Sequence, residues 1–216
     1  MILMSDPQVA AIRTADNGEP LVDLRDVADL WLDDRLSDEQ GAFARLRLTV
    51  AERLSEAQRR LPAGVRLLVV EGYRPRRLQE SYFFGYRDGL RERYQDWGAQ
   101  RLHVEASKFV APPDLAPHGT GGAVDLTLCT EDRVELDMGT RVNDSPEASL
   151  NACYTAARNI PAAARLNRAM LWKALTEVGL VNYPTEWWHW SYGERYWALS
   201  SGVPNTLYGP VVTDLS

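Results

Sequence analysis

The sequence PHGTGGAVDLTLCT, residues 117–130, joins a loop rich in glycine to a run of alternating side chains. Successive side chains of an extended chain point to opposite faces. Val124, Leu126 and Leu128 therefore share an apolar face of the predicted strand, and the opposite face carries Asp125, Thr127 and Cys129. The pattern predicts a strand that begins directly after a tight loop and presents an aspartate at its start.

Strand and helix signals continue on both sides of this stretch. VRLLVVEGYRP, residues 65–75, is a β-branched apolar run that ends at a turn, and it predicts a buried strand. EDRVELD, residues 131–137, is suited to return as a hairpin partner. Residues 161–179 begin with proline, end with glycine and predict a helix. The aromatic stretch PTEWWHWSY, residues 184–192, is then the next predicted strand.

Two more helices are predicted upstream of residue 117. The first spans residues 37–61, with Ser37 and Gln40 as a capping box, and the second spans residues 76–97. Residues 1–36 are poorly defined, with strand-like or turn-like pieces near residues 21–24 and 30–32. No repeat or linker divides residues 1–216, so we expect a single domain. Its fold class is α+β, an antiparallel sheet with helices packed on one side.

Composition excludes several classes of partner and compartment. The chain has 216 residues, 45% of them hydrophobic, and a formal net charge of −6, so neither nucleic acid nor an anionic membrane surface is an expected partner. Cys129 and Cys153 lack the spacing of a zinc or disulfide motif and are expected to be reduced thiols. The start of the chain lacks the apolar core of a signal peptide. We therefore expect a cytoplasmic protein that acts on a small molecule or peptide.

The chain contains only three histidines, and two of them have suggestive neighbours. A catalytic zinc takes three protein ligands and leaves one position open. His118, Asp125 and His189 can form such a set, with Glu186 three residues before His189. The alternative for each residue alone is ordinary: a solvated or capping histidine, a solvent-facing aspartate, a salt-bridge glutamate. His103 has no such context and is interpreted as structural.

The segment TEWWH raises a geometric difficulty for this site. Residues three apart in a regular strand point to opposite faces, so Glu186 and His189 would not face one metal. We therefore predict a bulge, a kink or a helical turn within this segment. Its tryptophans are interpreted as core or pocket wall.

Four motifs occur in an order that resembles a known family. They are EGYRP at residues 71–75, PHGTGGAVDLTL at 117–128, LDMGTR at 136–141 and EWWHW at 186–190. Over residues 65–195 the chain resembles the D-alanyl-D-alanine dipeptidases, the VanX-type zinc peptidases of peptidase family M15. The resemblance implies a fold similar to Hedgehog domains and D,D-peptidases.

The resemblance also implies a set of roles. One Zn²⁺ per chain is bound by His118, Asp125 and His189. Glu186 acts as catalytic base and then as acid, and Arg74 stabilises the transition state. Each role suits its residue type, since a carboxylate can carry a proton and a guanidinium can hold a permanent charge against an oxyanion.

The chain departs from the family where a substrate ammonium would bind. Ala116 replaces the serine two residues before the first metal histidine. Asn143 stands where the family places an aspartate for the substrate amine, with Asp144 one residue later. No tyrosine precedes Tyr73, although the family has one near the amine. The candidate substrate-binding residues are Tyr73, Ala116, Asn143, Asp144 and Trp188. Altered specificity and a one-residue shift that lets Asp144 take over both remain open.

The predicted function is that of a zinc-dependent dipeptidase, which hydrolyses D-alanyl-D-alanine or a related D-amino-acid dipeptide through a water activated by the metal. One alternative is a D,D- or L,D-carboxypeptidase that acts on peptidoglycan stem peptides or N-blocked peptides. The other is a non-catalytic zinc protein of the same fold. Glu186 and Arg74 argue against the second alternative, because a binding protein needs neither. The oligomeric state is left open.

Overall fold

The structure is a computed structural model and describes residues 1–212. Its strands, in chain order, are β1 (Leu21–Asp23), β2 (Trp31–Leu32), β3 (Arg45–Arg47), β4 (Val65–Glu71), β5 (Ala123–Thr130), β6 (Val181–Asn182) and β7 (His189–Ser191). Its helices are α1 (Pro7–Ala10), α2 (Leu48–Arg60), α3 (Arg76–Arg93), α4 (Ala99–Ala106), α5 (Ala162–Thr176) and α6 (Arg195–Ser200). None of the helices within residues 1–212 is both long enough and apolar enough to cross a membrane.

A five-stranded sheet with the order β2-β4-β5-β7-β6 organises the fold. Its pairs are antiparallel except for β2, which runs parallel to β4. β1 and β3 form a separate antiparallel pair. The α+β class is confirmed. The register aligns Glu71 with Asp125 and Asp125 with His189, so the ends of three adjacent strands bring acidic and imidazole side chains to one place.

The main core lies between the sheet and the helices α2 and α5. Leu54 of α2 and Leu171 of α5 join Leu126 and Leu128 of β5 in one buried cluster. α3 and α4 pack on each other around a second cluster that includes Phe83 and Leu102. Burying these apolar stripes supplies most of the driving force for folding. The single-domain interpretation of residues 1–216 stays a prediction, and residues 213–216 lie outside the described part.

The helix predicted for residues 37–61 is wrong in its first part, because α2 begins only at Leu48. The carboxylate of Asp38 accepts the backbone N–H groups of Gln40 and Phe43, both at 2.9 Å. Gly41 adopts a left-handed conformation with φ of 64°. Local bonds from an aspartate compete with helix formation in this way. The Ser37 capping box therefore does not form, and the chain pairs as β3 before the helix starts.

Other elements match the predictions to different extents. β4 ends within the predicted residues 65–75, and α5 lies inside the predicted residues 161–179. α3 stops four residues before the predicted end, at Arg93. EDRVELD is not a full hairpin strand, because it forms only an isolated bridge between Glu135 and Cys129. The predicted polar face of β5 is not solvent-facing, since the strand is buried on both faces up to Cys129.

Gly72 follows β4 at a point where two backbone segments meet closely. Its N–H donates to the carbonyl of Phe43 at 2.6 Å, and a Cβ built on Gly72 would lie 2.4 Å from the carbonyl oxygen of Arg45. We expect Gly72→Ala to lower the free energy of unfolding by about 1–3 kcal/mol, because the backbone must shift to admit the methyl group. Urea denaturation measures the change.

Gly85 in α3 is the matched control for this substitution. A Cβ at Gly85 meets no atom within 4 Å, and alanine is the better helix former. Gly85→Ala should therefore leave stability unchanged or raise it. Equal denaturation midpoints for the two variants would show that the close approach at Gly72 is not required.

Candidate active site

Three candidate metal ligands converge in the interior. His118 lies in a 3₁₀ turn, Pro117–Thr120, Asp125 lies in β5 and His189 begins β7. Nε2 of His118 is 3.1 Å from Nδ1 of His189 and 3.4 Å from Oδ1 of Asp125, and Oδ1 is 3.0 Å from Nδ1 of His189. Four ligands at zinc-like bond lengths around a tetrahedral centre lie about 3.4 Å apart. The three donor atoms are therefore spaced as a tetrahedral metal requires.

Hydrogen bonds fix which nitrogen of His118 faces the cluster. Its Nδ1 lies 2.6 Å from the carbonyl oxygen of Gly72, to which it donates, so Nε2 keeps its lone pair for a metal. In His189, Nδ1 faces Asp125, and Nε2 is buried without a hydrogen-bond partner within residues 1–212. Two imidazoles and one carboxylate form a donor set that suits zinc.

The electrostatics of the cluster favour the protonation states that a metal needs. Burial lowers the pKa of His189, although Asp125 opposes this effect, and the imidazole is therefore held neutral. Burial alone would raise the pKa of Asp125, but the two imidazoles, whose nitrogens lie 3.0 and 3.4 Å from Oδ1, hold it below its usual range. Asp125 is therefore a carboxylate and His189 a neutral imidazole.

Glu186 reaches the same cluster through the predicted turn. Its N–H donates to the carbonyl of Tyr183, and the N–H of His189 donates to the carbonyl of Glu186. The chain becomes extended only from His189 onward, so Glu186 and His189 point to one side, with a carboxylate oxygen 3.9 Å from Nδ1. Burial, reinforced by the charge of Asp125, raises the pKa of Glu186 well above its ordinary value.

Arg74 approaches the cluster from the turn that follows β4. Its Nε and Nη2 donate to the two carboxylate oxygens of Glu71 at 2.8 and 2.5 Å, and Nη1 donates to Oε1 of Gln79 at 2.7 Å. Nη2 lies 3.9 Å from Oδ2 of Asp125. Burial opposes the charge of Arg74, but Glu71 keeps its pKa above the ordinary value. The guanidinium is therefore a fixed, permanent charge.

A cleft of about 360 Å³ opens over this cluster, within the usual size range of small-ligand sites. One wall carries Arg74, His118, Asp125, Glu186 and His189. The rest of the lining is mostly apolar and aromatic, and it includes Met4, Tyr82, Tyr86, Phe109 and Val110. A cleft of this form can hold a short peptide with its polar bond against the cluster.

The five substrate-binding candidates lie in different parts of the structure, and only one of them lines the cleft. Asn143 lines the cleft, whereas Asp144 does not and instead accepts the backbone N–H of Arg141 at 2.9 Å. Tyr73 and Ala116 line a neighbouring cavity instead of the cleft. Trp188 has no exposed surface and lies in the main core, because the turn before β7 points its indole inward. The substrate contact expected for Trp188 is therefore wrong.

Sequence reasoning missed three polar residues that support the site. Glu71 belongs to the EGYRP motif without a predicted role, although it is 1% exposed and binds Arg74. Gln79 lies on the buried face of α3, four residues before Phe83, where a polar side chain signals a specific partner. Tyr183 lines the cleft and its hydroxyl accepts the N–H of Met4 at 3.1 Å. Nothing in the local sequence indicates that contact.

Comparison with known proteins adds an independent finding. A family model described as D-ala-D-ala dipeptidase, Peptidase_M15, matches residues 36–206. A D-alanyl-D-alanine dipeptidase of Synechocystis sp. is 29% identical over 87% of this chain and 87% of its own. One from Escherichia coli is 28% identical over 59% of this chain and 55% of its own.

Two solved structures resemble the fold at lower identity. The LdcB LD-carboxypeptidase has a TM-score of 0.48 at 18% identity, covering 90% of this chain and 82% of that one. VanYB in complex with D-alanine-D-alanine has a TM-score of 0.45 at 16% identity, covering 90% of this chain and 94% of that one.

Proposed function

The chain belongs to the D-alanyl-D-alanine dipeptidase family of M15 peptidases, and we propose that it hydrolyses D-alanyl-D-alanine or a closely related dipeptide. We assign the Zn²⁺ ligands to His118, Asp125 and His189, one ion per chain. The observation that carries the proposal is the placement of Glu186 and Arg74 on one wall of the cleft, beside these three donors. A carboxylate and a guanidinium there supply the two functions that peptide hydrolysis needs.

Glu186 has the environment of a group that moves a proton. When bound, the zinc supplies a Lewis acid that polarises the peptide carbonyl and acidifies water. The raised pKa of Glu186 makes its carboxylate a stronger base than an exposed glutamate. It takes the proton from the attacking water and returns it to the amide nitrogen as the bond breaks. The same carboxyl group therefore serves first as base and then as acid.

Arg74 is suited to the charge that develops on the carbonyl oxygen. Three of its five N–H donors are bound by Glu71 and Gln79, which leaves one on each terminal nitrogen for the substrate. Such a donor is already oriented before the reaction begins, and this preorganisation is a large source of rate enhancement. A lysine would not present the same planar fork.

The other candidate functions have less support. A non-catalytic zinc protein has no use for a proton carrier and a fixed guanidinium in the cleft. The curated relatives are named dipeptidases, so a D,D- or L,D-carboxypeptidase activity is not favoured. A cytoplasmic location remains part of the proposal, in keeping with Cys129 and Cys153, which are both free and buried.

Hydrolysis of a dipeptide panel tests the function. Purified zinc-loaded protein is mixed with D,D-, L,D- and L,L-dipeptides, each with a free and an acetylated N-terminus, and amine release is measured. We expect turnover of free D-alanyl-D-alanine that depends on Glu186. Zinc binding without hydrolysis of any member of the panel would contradict the proposal and leave a binding protein of the same fold.

Asn143 lines the cleft at the position where the family has an aspartate. Its φ of 68° is a conformation that aspartate also tolerates, so the exchange should not strain the loop. We expect Asn143→Asp to lower KM for a free dipeptide about 10-fold or more, because a charge-assisted hydrogen bond to the ammonium is worth roughly 1.5–3 kcal/mol. Steady-state kinetics on free and acetylated dipeptides measure the effect.

The acetylated dipeptide is the internal control for this variant. It has no ammonium, so its KM should not improve in Asn143→Asp. A second control is Asp144→Asn, since Asp144 accepts a hydrogen bond from its own loop and does not line the cleft. An unchanged KM for free dipeptides in Asn143→Asp would place the substrate amine elsewhere.

A further inference from the structure

We propose that Gln79 is a positioning residue that holds the guanidinium of Arg74 toward the cleft through a neutral hydrogen bond. The inference rests on the proposed role of Arg74 in stabilising the transition state. Gln79 and Arg74 both line the cleft, and the side chain of Gln79 is only 1% exposed. Gln79 acts through Arg74, because the chemistry assigned to the site is performed by other groups.

The partners of Arg74 divide its donors in a defined way. Glu71 binds the edge formed by Nε and Nη2, and this bidentate pair fixes the plane of the guanidinium. This pair alone does not fix the position of the guanidinium, because the side chains of Arg74 and Glu71 can still rotate together. The bond from Nη1 to Gln79 anchors the far end of the plane at 2.7 Å. With both ends held, the remaining two N–H groups keep one direction.

The amide of Gln79 is itself oriented by a second hydrogen bond. Its Nε2 donates to the carbonyl oxygen of Ala111 at 2.7 Å. A carbonyl oxygen can only accept, so the amide nitrogen must face Ala111 and the amide oxygen must face Arg74. Ala111 lines the cleft, so Gln79 also ties Arg74 to the cleft wall.

The neutrality of this acceptor has an electrostatic consequence. Glu71 already balances the charge of Arg74, and Asp125 adds a further negative charge 3.9 Å from Nη2. A second carboxylate in direct contact would add another negative charge beside the guanidinium. The positive potential offered to a developing oxyanion would then fall. An amide keeps the geometry and leaves that potential in place.

A double-mutant cycle with Arg74 tests the proposal. We expect Gln79→Met, of similar volume but without hydrogen bonds, to lower kcat about 10- to 100-fold, since small misplacements at a reacting centre have effects of this size. KM should change little. Gln79→Glu should lower kcat at least as much, although it keeps an acceptor. In an Arg74→Ala background, Gln79→Met should have no further effect on kcat.

Gln58 supplies the matched control. It is a buried glutamine whose Nε2 donates to the carbonyl of Val65 and whose Oε1 accepts the N–H of Leu67, and it does not line the cleft. Gln58→Met should lower stability without changing kcat. A purely structural role for Gln79 would instead give additive effects of Gln79→Met and Arg74→Ala, and that result would overturn the proposal.

A binding measurement separates this inference from the proposed function. The probe is a phosphinate analogue of D-alanyl-D-alanine, whose tetrahedral phosphorus carries a charged oxygen that imitates the oxyanion. Its affinity for the zinc-loaded protein should fall in Gln79→Met by the same factor as kcat. If the parent protein cleaves no dipeptide, the proposed function fails, and the proposal on Gln79 is decided by phosphinate affinity alone. Equal affinity in the parent protein and in Gln79→Met would overturn it.

Discussion

Replacing Glu186 with glutamine is expected to lower kcat for D-alanyl-D-alanine by about 10²- to 10⁴-fold, the contribution typical of a positioned acid or base. The amide has nearly the same shape but cannot take a proton from water or return it to the leaving nitrogen. KM should change little, because the substrate still meets Arg74 and the same cleft walls. Steady-state kinetics of amine release measure both constants.

Metal content and stability distinguish this result from a folding defect. Glu186→Gln should retain one equivalent of zinc, because Glu186 is not among the three ligand donors that the structure brings together. Its melting temperature should be no lower than that of the parent, since burial disfavours the charged carboxylate. Glu177→Gln, an exposed glutamate paired with Arg60, is the surface control. Activity within a factor of about three of the parent would remove Glu186 from the assigned role.

Exchanging Asp125 for asparagine should abolish tight zinc binding. In the proposed zinc site this carboxylate is the anionic ligand, and we expect the affinity for zinc to fall on the order of 100-fold or more. Dipeptide hydrolysis at ordinary zinc concentrations should be lost with the metal. The same buried carboxylate lies at 3.0 Å from His189 and 3.4 Å from His118, so an uncharged amide also weakens their arrangement.

Zinc titration followed by calorimetry and by the melting temperature measures this change. A bound metal raises the melting temperature of the parent through mass action, and Asp125→Asn should show little of this rise at the same zinc concentration. His103→Ala is the control for nonspecific loss of a histidine, because His103 lies on α4, packs against Phe83 of α3 and is not one of the three donors that the structure brings together. Parental zinc affinity in Asp125→Asn would show that the metal binds elsewhere.

The sequence was sufficient to predict much of the fold and most of the candidate site. The buried strands β4 and β5 and the helix α5 have strong apolar periods bounded by glycine and proline. The family motifs located the five residues assigned to metal and chemistry, and the structure brings all five to one wall of the cleft. The turn at Glu186 followed from a geometric argument, and the backbone confirms it.

The errors arose where a tertiary contact outweighs a local signal. Residues 37–47 have helical spacing, but Asp38 and the pairing of β3 with β1 redirect the chain. Trp188 belongs to the EWWHW motif, yet its side chain fills the core, a direction that strand periodicity does not determine because Trp188 lies in the turn before β7. Met4 lines the cleft from a segment without a readable pattern.

The walls of the cleft belong to different packing clusters, and these clusters should differ in their rates of hydrogen exchange. The assigned residues stand on or beside the central strands β4, β5 and β7, whose amides should exchange only through global unfolding. Met4 belongs to one small cluster, and Val110 belongs to another formed by α3 and α4, so both can open in separate, less costly events. We therefore expect amides in these walls to exchange faster than those of the sheet, because either cluster can open while the strands that carry the assigned residues stay protected.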